Sequence, residues 1–468
     1  MHLRPDPLYV SMRALIRLAL GFYFRRVERF RAERVPDSGP VLFTSNHPNS
    51  LADSFVIGAS VPRKVNFVAT VQLFRFAALK WFLTRCGVIP INRVRDDPRA
   101  MRSVAETFEA CYRVLAKGEA VGIFPEGITY EDSQLKEVKT GAARMALEFE
   151  DRHSGKSGLR VVPVGLTYSA KERYRSDVLV HFGEPICASD YLNEYSTQKK
   201  ECIRKLTAEI DHRLRSLIVD VAALDQGRVV DGVKQLFLDR LMTSGAPLPG
   251  PISSAAGKLL RTQAISEAVK HVFQAQPDRA ANFARKLAGY QRWLDRFRIS
   301  DASLNGRDKA LTGGAISGAM VLLGLPVALY GWIHRLLPYA IVRYVQARFV
   351  EPGKKKAQAA TAAIVAGVVA FGFFYPAYVF VFHSFYGWPA SFWYALTLPV
   401  ASLLAHYYVT RFDKLWQALR NLVLFTRAPA LSRHLIRTRT ELIAEIEAVH
   451  QELQQEQASK SASGKPVV

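Results

Sequence analysis

From about residue 36 onward, short apolar runs alternate with stretches whose apolar residues recur every three or four positions. The runs are VLFTS (41–45), VNFVAT (65–70), GVIPI (87–91), AVGIF (120–124), LRVVPVGLTY (159–168) and VLVHFG (178–183). They read as strands of the buried type. Between them, Met101, Val104, Phe108, Cys111, Tyr112 and Leu115 mark one face of an amphipathic helix over 101–116. Strand–helix alternation of this kind predicts an α/β domain, bounded here at residues 36–220.

Ahead of that domain, Leu8, Met12, Leu15, Ala19 and Phe22 fall at helical spacing, with Arg13 and Arg17 on another face. Residues 1–35 are therefore expected to hold an amphipathic helix at a membrane interface. A core-packing helix is the alternative. Residues 221–309 predict a helical appendage, broken at Gly245-Ala246-Pro247-Leu248-Pro249-Gly250-Pro251.

The pattern then loses its charges. Residues 310–334 and 357–410 contain no Asp, Glu, Lys or Arg. A membrane-crossing helix needs roughly 20 apolar residues. Residues 357–410 accordingly predict a transmembrane hairpin, about 358–382 and 390–409, joined by 383–389. Arg343, Arg348 and Lys354 to Lys356 precede it, Arg411, Lys414 and Arg420 follow, and the connector has no basic residue. The positive-inside rule puts both ends in the cytoplasm. A single crossing at 310–334 would conflict with that topology. Residues 310–345 are therefore read as a membrane-dipping hairpin turning near Gly324-Leu325-Pro326, or alternatively as a buried soluble helix. Residues 411–456 predict amphipathic helices, with Leu435, Leu442, Ile446, Val449 and Leu453 on one stripe, and 457–468 a disordered tail.

The formal net charge of +22 favours an anionic partner. No nucleic-acid-binding signature accompanies it, so anionic membrane lipids and a phosphorylated substrate are expected, and no nucleic acid. Cys86, Cys111, Cys187 and Cys202 are scattered, without CxxC spacing or a metal-type cluster, and read as reduced residues of a cytosol-facing domain. Arg13 and Arg17 interrupt the first apolar stretch, and no small-residue cleavage site follows, which argues against a cleavable signal.

Candidate chemistry begins in Asn46-His47-Pro48-Asn49-Ser50-Leu51-Ala52-Asp53, directly after a β-type run. Pro48 keeps His47 out of the α region, so a helix can start only after it, at an Asn49 or Ser50 cap. On one unbroken helix, residues six apart would point roughly 240° apart and could not pair. With His47 in the loop, Asp53 in the first turn can reach the imidazole, fix its tautomer and leave the other nitrogen free to accept a proton. Ser50-Leu51-Ala52-Asp53 also fits a capping box, in which Asp53 merely closes the helix start. Two further strands carry chemistry at their carboxyl ends, where α/β sheets gather ligands: Gly87 to Arg93, and Phe124-Pro125-Glu126-Gly127. Such a sheet would bring His47, Arg93 and Glu126 together, with a surface ion pair as the alternative for Arg93. A third strand, Val161 to Gly165, is interrupted by Pro163.

In the order and spacing of these blocks the chain resembles the phospholipid/glycerol acyltransferases that share the PlsC-type domain. The resemblance implies a mixed sheet flanked by helices, followed by a mostly helical part with membrane-inserted hairpins. It also implies roles. His47 would take the proton of the acceptor hydroxyl as it attacks an acyl thioester, and Asp53 would orient His47. Arg93, with Asn92 beside it, would hold the acceptor's phosphate; Glu126 and Gly127 would position its hydroxyls, and Pro163 would shape the acyl side. Lys139 is similar to a basic residue found near the phosphate, a solvated lysine being the alternative. Five residues separate His47 from Asp53 where the common pattern has four. That gap, and the later hydrophobic segments, resemble the glycerol-3-phosphate acyltransferase branch typified by fungal membrane enzymes.

The expectation is an integral membrane O-acyltransferase of phosphatidic acid and phospholipid synthesis, with its catalytic domain on the cytoplasmic face. Acyl-CoA or acyl carrier protein would be co-substrate and glycerol 3-phosphate the acceptor, with no metal or other cofactor. Acylation of 1-acylglycerol 3-phosphate or another lysophospholipid is the alternative. A non-catalytic lipid-binding protein on the same fold is a more distant one.

Overall fold

The computed structural model describes residues 6–74, 77–91, 101–127, 135–219, 224–243, 254–304, 314–350 and 355–462. Two compact units emerge: Met1–Asp220 with Pro251–Leu259 and Val345–Val365, and Val221–Gly250 with Leu260–Tyr344 and Ala366–Val468.

The first unit is built on strands β1 (Arg26–Phe30), β2 (Val41–Ser45), β3 (Val65–Thr70), β4 (Ile89–Ile91), β5 (Ala120–Ile123), β6 (Arg160–Tyr168), β7 (Asp177–Phe182) and β8 (Ile186–Cys187). They form one sheet in the order β1-β7-β6-β2-β5-β3-β4, with β8 also on β6. Only the β6–β7 and β6–β8 pairings are antiparallel, so the sheet is mixed. Helices α1 (Pro7–Tyr23), α2 (Leu51–Ser60), α3 (Ala77–Arg85), α4 (Met101–Ala116), α5 (Gly141–Arg152) and α6 (Lys199–Leu217) accompany it.

The period-2 geometry of a strand sends successive side chains to opposite faces, and both faces are covered. Leu42, Val121 and Val161 face the core formed with α4, α5 and α6. Val41, Phe43, Val162 and Val164 face the opposite core, shared with α1 and α2. His47 therefore leaves the middle of a sheet buried on both sides.

Two features revise the expected boundaries. The sheet begins at Arg26, ahead of residue 36, because Arg-Val-Glu-Arg-Phe (26–30) is a half-exposed edge strand with no apolar run to read. And α1 is anchored on the unit: Leu20 and Tyr23 are buried in its core. Arg17 donates to Ala59 O at 3.1 and 3.0 Å, and Arg13 to Val61 O and Pro62 O. These carbonyls lie at the end of α2, where no intrahelical N–H can reach them. Leu15 and Phe22 remain exposed on the other side of α1.

Pro163 sits within β6, a position at which a proline ordinarily deletes a ladder hydrogen bond. Here β7 pairs with β6 from Val164 to Tyr168, and β8 with Arg160 and Val161. Pro163 falls at the junction, where its carbonyl accepts Gly183 N–H at 2.8 Å. A strand residue's N and C=O point to the same side, so the missing donor falls where neither β7 nor β8 needs it.

The second unit is helical, with α7 (Leu224–Thr243), most of α8 (Ser254–Ala275), α9 (Pro277–Phe297), α10 (Asp301–Leu304), most of α11 (Gly314–Phe349), most of α12 (Lys355–Arg427) and α13 (Pro429–Ala462). Val229, Phe237, Leu287, Leu294, Leu435 and Leu442 belong to its core. A buried Arg439–Asp301 pair, bonded at 2.9 and 3.1 Å, receives the Tyr290 hydroxyl at 2.6 Å.

The turn expected near Gly324-Leu325-Pro326 is replaced by continuous helix: α11 runs through Pro326 and Pro338. A proline removes one helical hydrogen bond and kinks the axis without reversing it, and apolar helices tolerate that. In α12 the chain leaves helical geometry at Gly387 (φ 73°, ψ 175°), inside the 383–389 connector. Across that break the rings of Phe382 and Tyr394 stack 4.3 Å apart. By length and composition, Gln358–Gln417 is long and apolar enough to cross a membrane. At the other end, α13 continues to Ala462, past the expected boundary at 456, through residues that carry a helix without strain.

Gly165 of β6 tests how tightly this frame is packed. A Cβ there would lie 2.6 Å from both the Cβ and the carbonyl oxygen of Leu217. Gly165→Ala is expected to cost about 1–3 kcal/mol by overpacking. Denaturant unfolding of the purified protein measures it; an unchanged midpoint contradicts the packing described.

Candidate active site

The site is built on the loop between β2 and α2. Asn46 pins that loop to β6: its Nδ2 donates to Leu166 O at 3.0 Å, and its Oδ1 accepts Leu166 N–H at 2.7 Å. His47 follows, and its Nδ1 lies 2.9 Å from Asp53 Oδ2. The five-residue gap is bridged by a sharp turn, with Ser50 at φ 52° and ψ −137°. Ser50 occupies the N-cap position yet makes no side-chain capping bond, so the reciprocal capping box does not form. The Asp53 carboxylate instead accepts the Asn49 N–H at 2.7 Å and faces the imidazole.

Asp53 is fully buried. Its other oxygen, Oδ1, accepts the Tyr168 hydroxyl at 2.6 Å. A buried carboxylate is tolerable only with such donors around it. Burial and the neighbouring Asp53 charge both push the Tyr168 phenol well above its ordinary range, so it remains a donor. With Nδ1 turned to a carboxylate, the imidazole keeps its proton there and presents a basic Nε2. Phe124, just past β5, stacks on the ring at 3.9 Å between centroids and 14° between planes. The imidazole is thus held at one edge and one face.

Glu126 is buried beside this pair, and both its oxygens are engaged by backbone. Oε1 accepts His47 N–H at 2.8 Å, and Oε2 accepts Lys136 N–H at 2.9 Å. Burial raises its carboxyl above the usual value, while the two amides and His47 oppose that rise. The carboxylate thereby ties the His47 loop to the segment following β5. Gly127 has φ +72°, a conformation that favours glycine, and a Cβ added there would lie 3.0 Å from Lys139 Nζ. Lys139 N–H donates to Pro125 O at 3.1 Å, so its exposed ammonium lies across the Glu126–Gly127 turn. Pro163 is buried in β6, paired with Thr44 of β2, below the His47 level of the sheet. Asn92 and Arg93 lie outside the described residues.

The fold thus assembles His47, Asp53, Glu126, Gly127 and Lys139 at the carboxyl ends of β2 and β5, with Pro163 farther down the sheet. Asn46, Phe124 and Tyr168 are the residues sequence reasoning passed over. Tyr168 ends the LRVVPVGLTY run as a polar aromatic on a buried strand, a position that calls for a hydrogen-bond partner. Among the described residues, no group of three or more His, Cys, Asp or Glu is arranged to hold a metal ion. A histidine oriented by a carboxylate, with its second nitrogen open, is the arrangement that takes a proton from a hydroxyl nucleophile.

Comparison with known proteins gives the following likenesses. Residues 26–167 match the family model described as Acyltransferase. Glycerol-3-phosphate O-acyltransferase 1 of Saccharomyces cerevisiae is 28% identical over 145 residues, which is 30% of this chain and 19% of that protein. The match thus spans under a fifth of the yeast relative's length. A 1-acyl-sn-glycerol-3-phosphate acyltransferase of Borreliella burgdorferi is 25% identical over 175 residues, 37% of this chain and 64% of the relative. The crystal structure of the 1-acyl-sn-glycerophosphate (LPA) acyltransferase PlsC from Thermotoga maritima aligns over 45% of this chain and 83% of its own, at 18% identity and a TM-score of 0.33.

Removing the Tyr168 hydroxyl leaves one oxygen of a buried carboxylate without its donor. Tyr168→Phe is expected to lower stability by about 1–3 kcal/mol. A urea titration of the purified protein reads this directly, and wild-type stability would show that Asp53 does not depend on that bond.

Proposed function

We propose that this chain, which carries an acyltransferase domain of the PlsC type at residues 26–167, moves a fatty acyl group from acyl-CoA or acyl carrier protein to glycerol 3-phosphate in phosphatidic acid synthesis. The observation that carries the reading is the His47–Asp53 pair, 2.9 Å apart at the carboxyl end of a central strand. In the proposed reaction His47 Nε2 takes the proton of an acceptor hydroxyl as its oxygen attacks the thioester carbonyl. The tetrahedral intermediate collapses, the C–S bond breaks, and the imidazolium returns its proton to the departing thiolate. Asp53 stabilises the imidazolium in between.

Arg93 and Asn92 are assigned to the acceptor's phosphate, with Lys139 as a second cation beside Gly127. Glu126 contributes by fixing the backbone of His47, and Pro163 by shaping the sheet beneath it. The proposed enzyme is an integral membrane protein with its catalytic domain at the cytoplasmic face, in contact with anionic lipids. The apolar stretch Gln358–Gln417, its basic flanks and the net charge of +22 support this.

A second acceptor is favoured by one observation. The Borreliella relative, named for 1-acyl-sn-glycerol 3-phosphate, is matched over 64% of its length, against 19% for the yeast protein. Both acceptors present a phosphate and a free hydroxyl, so the chemistry at His47 is common to them.

The test uses the purified full chain with labelled acyl-CoA and the two acceptors in competition. Glycerol 3-phosphate is expected to be acylated preferentially, and exclusive labelling of the 1-acyl compound would transfer the assignment to it. His47→Ala is expected to reduce turnover on either acceptor by about 10²–10⁴-fold. Equal product from His47→Ala and wild type would sink the reaction.

A further inference from the structure

The first turns of α12 belong to the α/β unit. Ala360 and Ile364 are buried in the core that also holds Val41, Phe43, Ala52 and Val56. Between them, Thr361 reaches the start of α2. Its Oγ1 accepts Ala52 N–H at 3.0 Å, across 309 residues of sequence, and donates to Asn49 O at 3.3 Å.

Ala52 is the second residue of α2, one of the first-turn amides that no intrahelical carbonyl can satisfy. A helix ordinarily answers that need with the N-cap side chain, but Ser50 makes no capping bond. Thr361 fills that role from 309 residues away in sequence. Its second bond holds the carbonyl of Asn49, whose own N–H donates to Asp53 Oδ2. That is the oxygen facing His47 Nδ1.

We infer that Thr361 is a positioning residue for the His47–Asp53 pair, acting through Asn49 and the first turn of α2. The hydroxyl, rather than the bulk of the side chain, carries the role. The His47 loop is consequently completed by the helix that goes on to form the long apolar stretch. The kinetic part of the inference rests on the acyl-transfer reading above; the structural part does not.

The experiment compares Thr361→Val, which keeps size and loses the hydroxyl, with Thr361→Ser, which keeps the hydroxyl, in the purified full chain. Hydrogen exchange followed by mass spectrometry is read on a peptide covering residues 46–53, with residues 141–152 of α5 as control. Turnover is read with labelled acyl-CoA and the preferred acceptor. In Thr361→Val the 46–53 peptide is expected to exchange about tenfold faster, with the α5 peptide unchanged. Its kcat is expected to fall about tenfold with acceptor KM preserved. Thr361→Ser should stay near wild type in both. Wild-type behaviour of Thr361→Val in exchange and turnover would overturn the inference, as would equal impairment of the two variants. If wild type acylates neither acceptor, the reaction reading fails, and the exchange of the 46–53 peptide still decides the role of Thr361.

Discussion

Everything in the site depends on one buried carboxylate. Asp53 is fully enclosed, and an ionised group removed from water must be met by donors or by charge. Three groups meet it: the imidazole of His47, the backbone N–H of Asn49 and the hydroxyl of Tyr168. Because two donors come from the loop after β2, one from the end of β6, and Asp53 itself from the first turn of α2, satisfying the carboxylate forces these three pieces into a single geometry. The orientation of His47 is then a by-product of solving a solvation problem. Glu126 repeats the device at lower stakes, binding the amides of His47 and Lys136.

The strands around the site were legible because β2, β5, β6 and β7 are buried and therefore nearly continuous in apolar residues. β1 was not, since an edge strand reading Arg-Val-Glu-Arg-Phe carries no such signal. His47 and Asp53 could be paired from spacing and Pro48 alone, although the sequence left a capping box equally open. The φ of +52° at Ser50 and its missing side-chain bond separate the two. Tyr168 and Asn46 were illegible for another reason. Their partners lie 115 and 120 residues away, so even where Tyr168 on a buried strand calls for a partner, nothing local says which residue across the sheet supplies it. Glu126 was read as facing a substrate, whereas both its oxygens point at backbone.

The apolar segments show the same limit in reverse. The break in α12 was legible, since Gly387 lies inside the expected 383–389 connector, whereas the turn expected near Gly324-Leu325-Pro326 was not formed. Gly387 breaks α12 because its φ of 73° suits glycine, while Pro326 and Pro338 leave α11 helical. Similarly, Arg13 and Arg17 were read as charges bordering a membrane-facing stripe. They cap the end of α2, and Leu15 and Phe22 keep an apolar face outward regardless.

Pro163 has a consequence for the folding of the sheet. β6 is read on one edge by two different strands, and the one residue without an N–H stands where they change over. If β6 slid along its partners by a pleat, that residue would come opposite a carbonyl of β7 or β8 and leave it stranded in a dry interior. The native alignment is the one in which the defect is harmless. Since β6 is also hydrogen-bonded to β2, the proline works as a register stop for the strand that delivers the histidine, disfavouring a misthreaded sheet independently of any side-chain contact in the site.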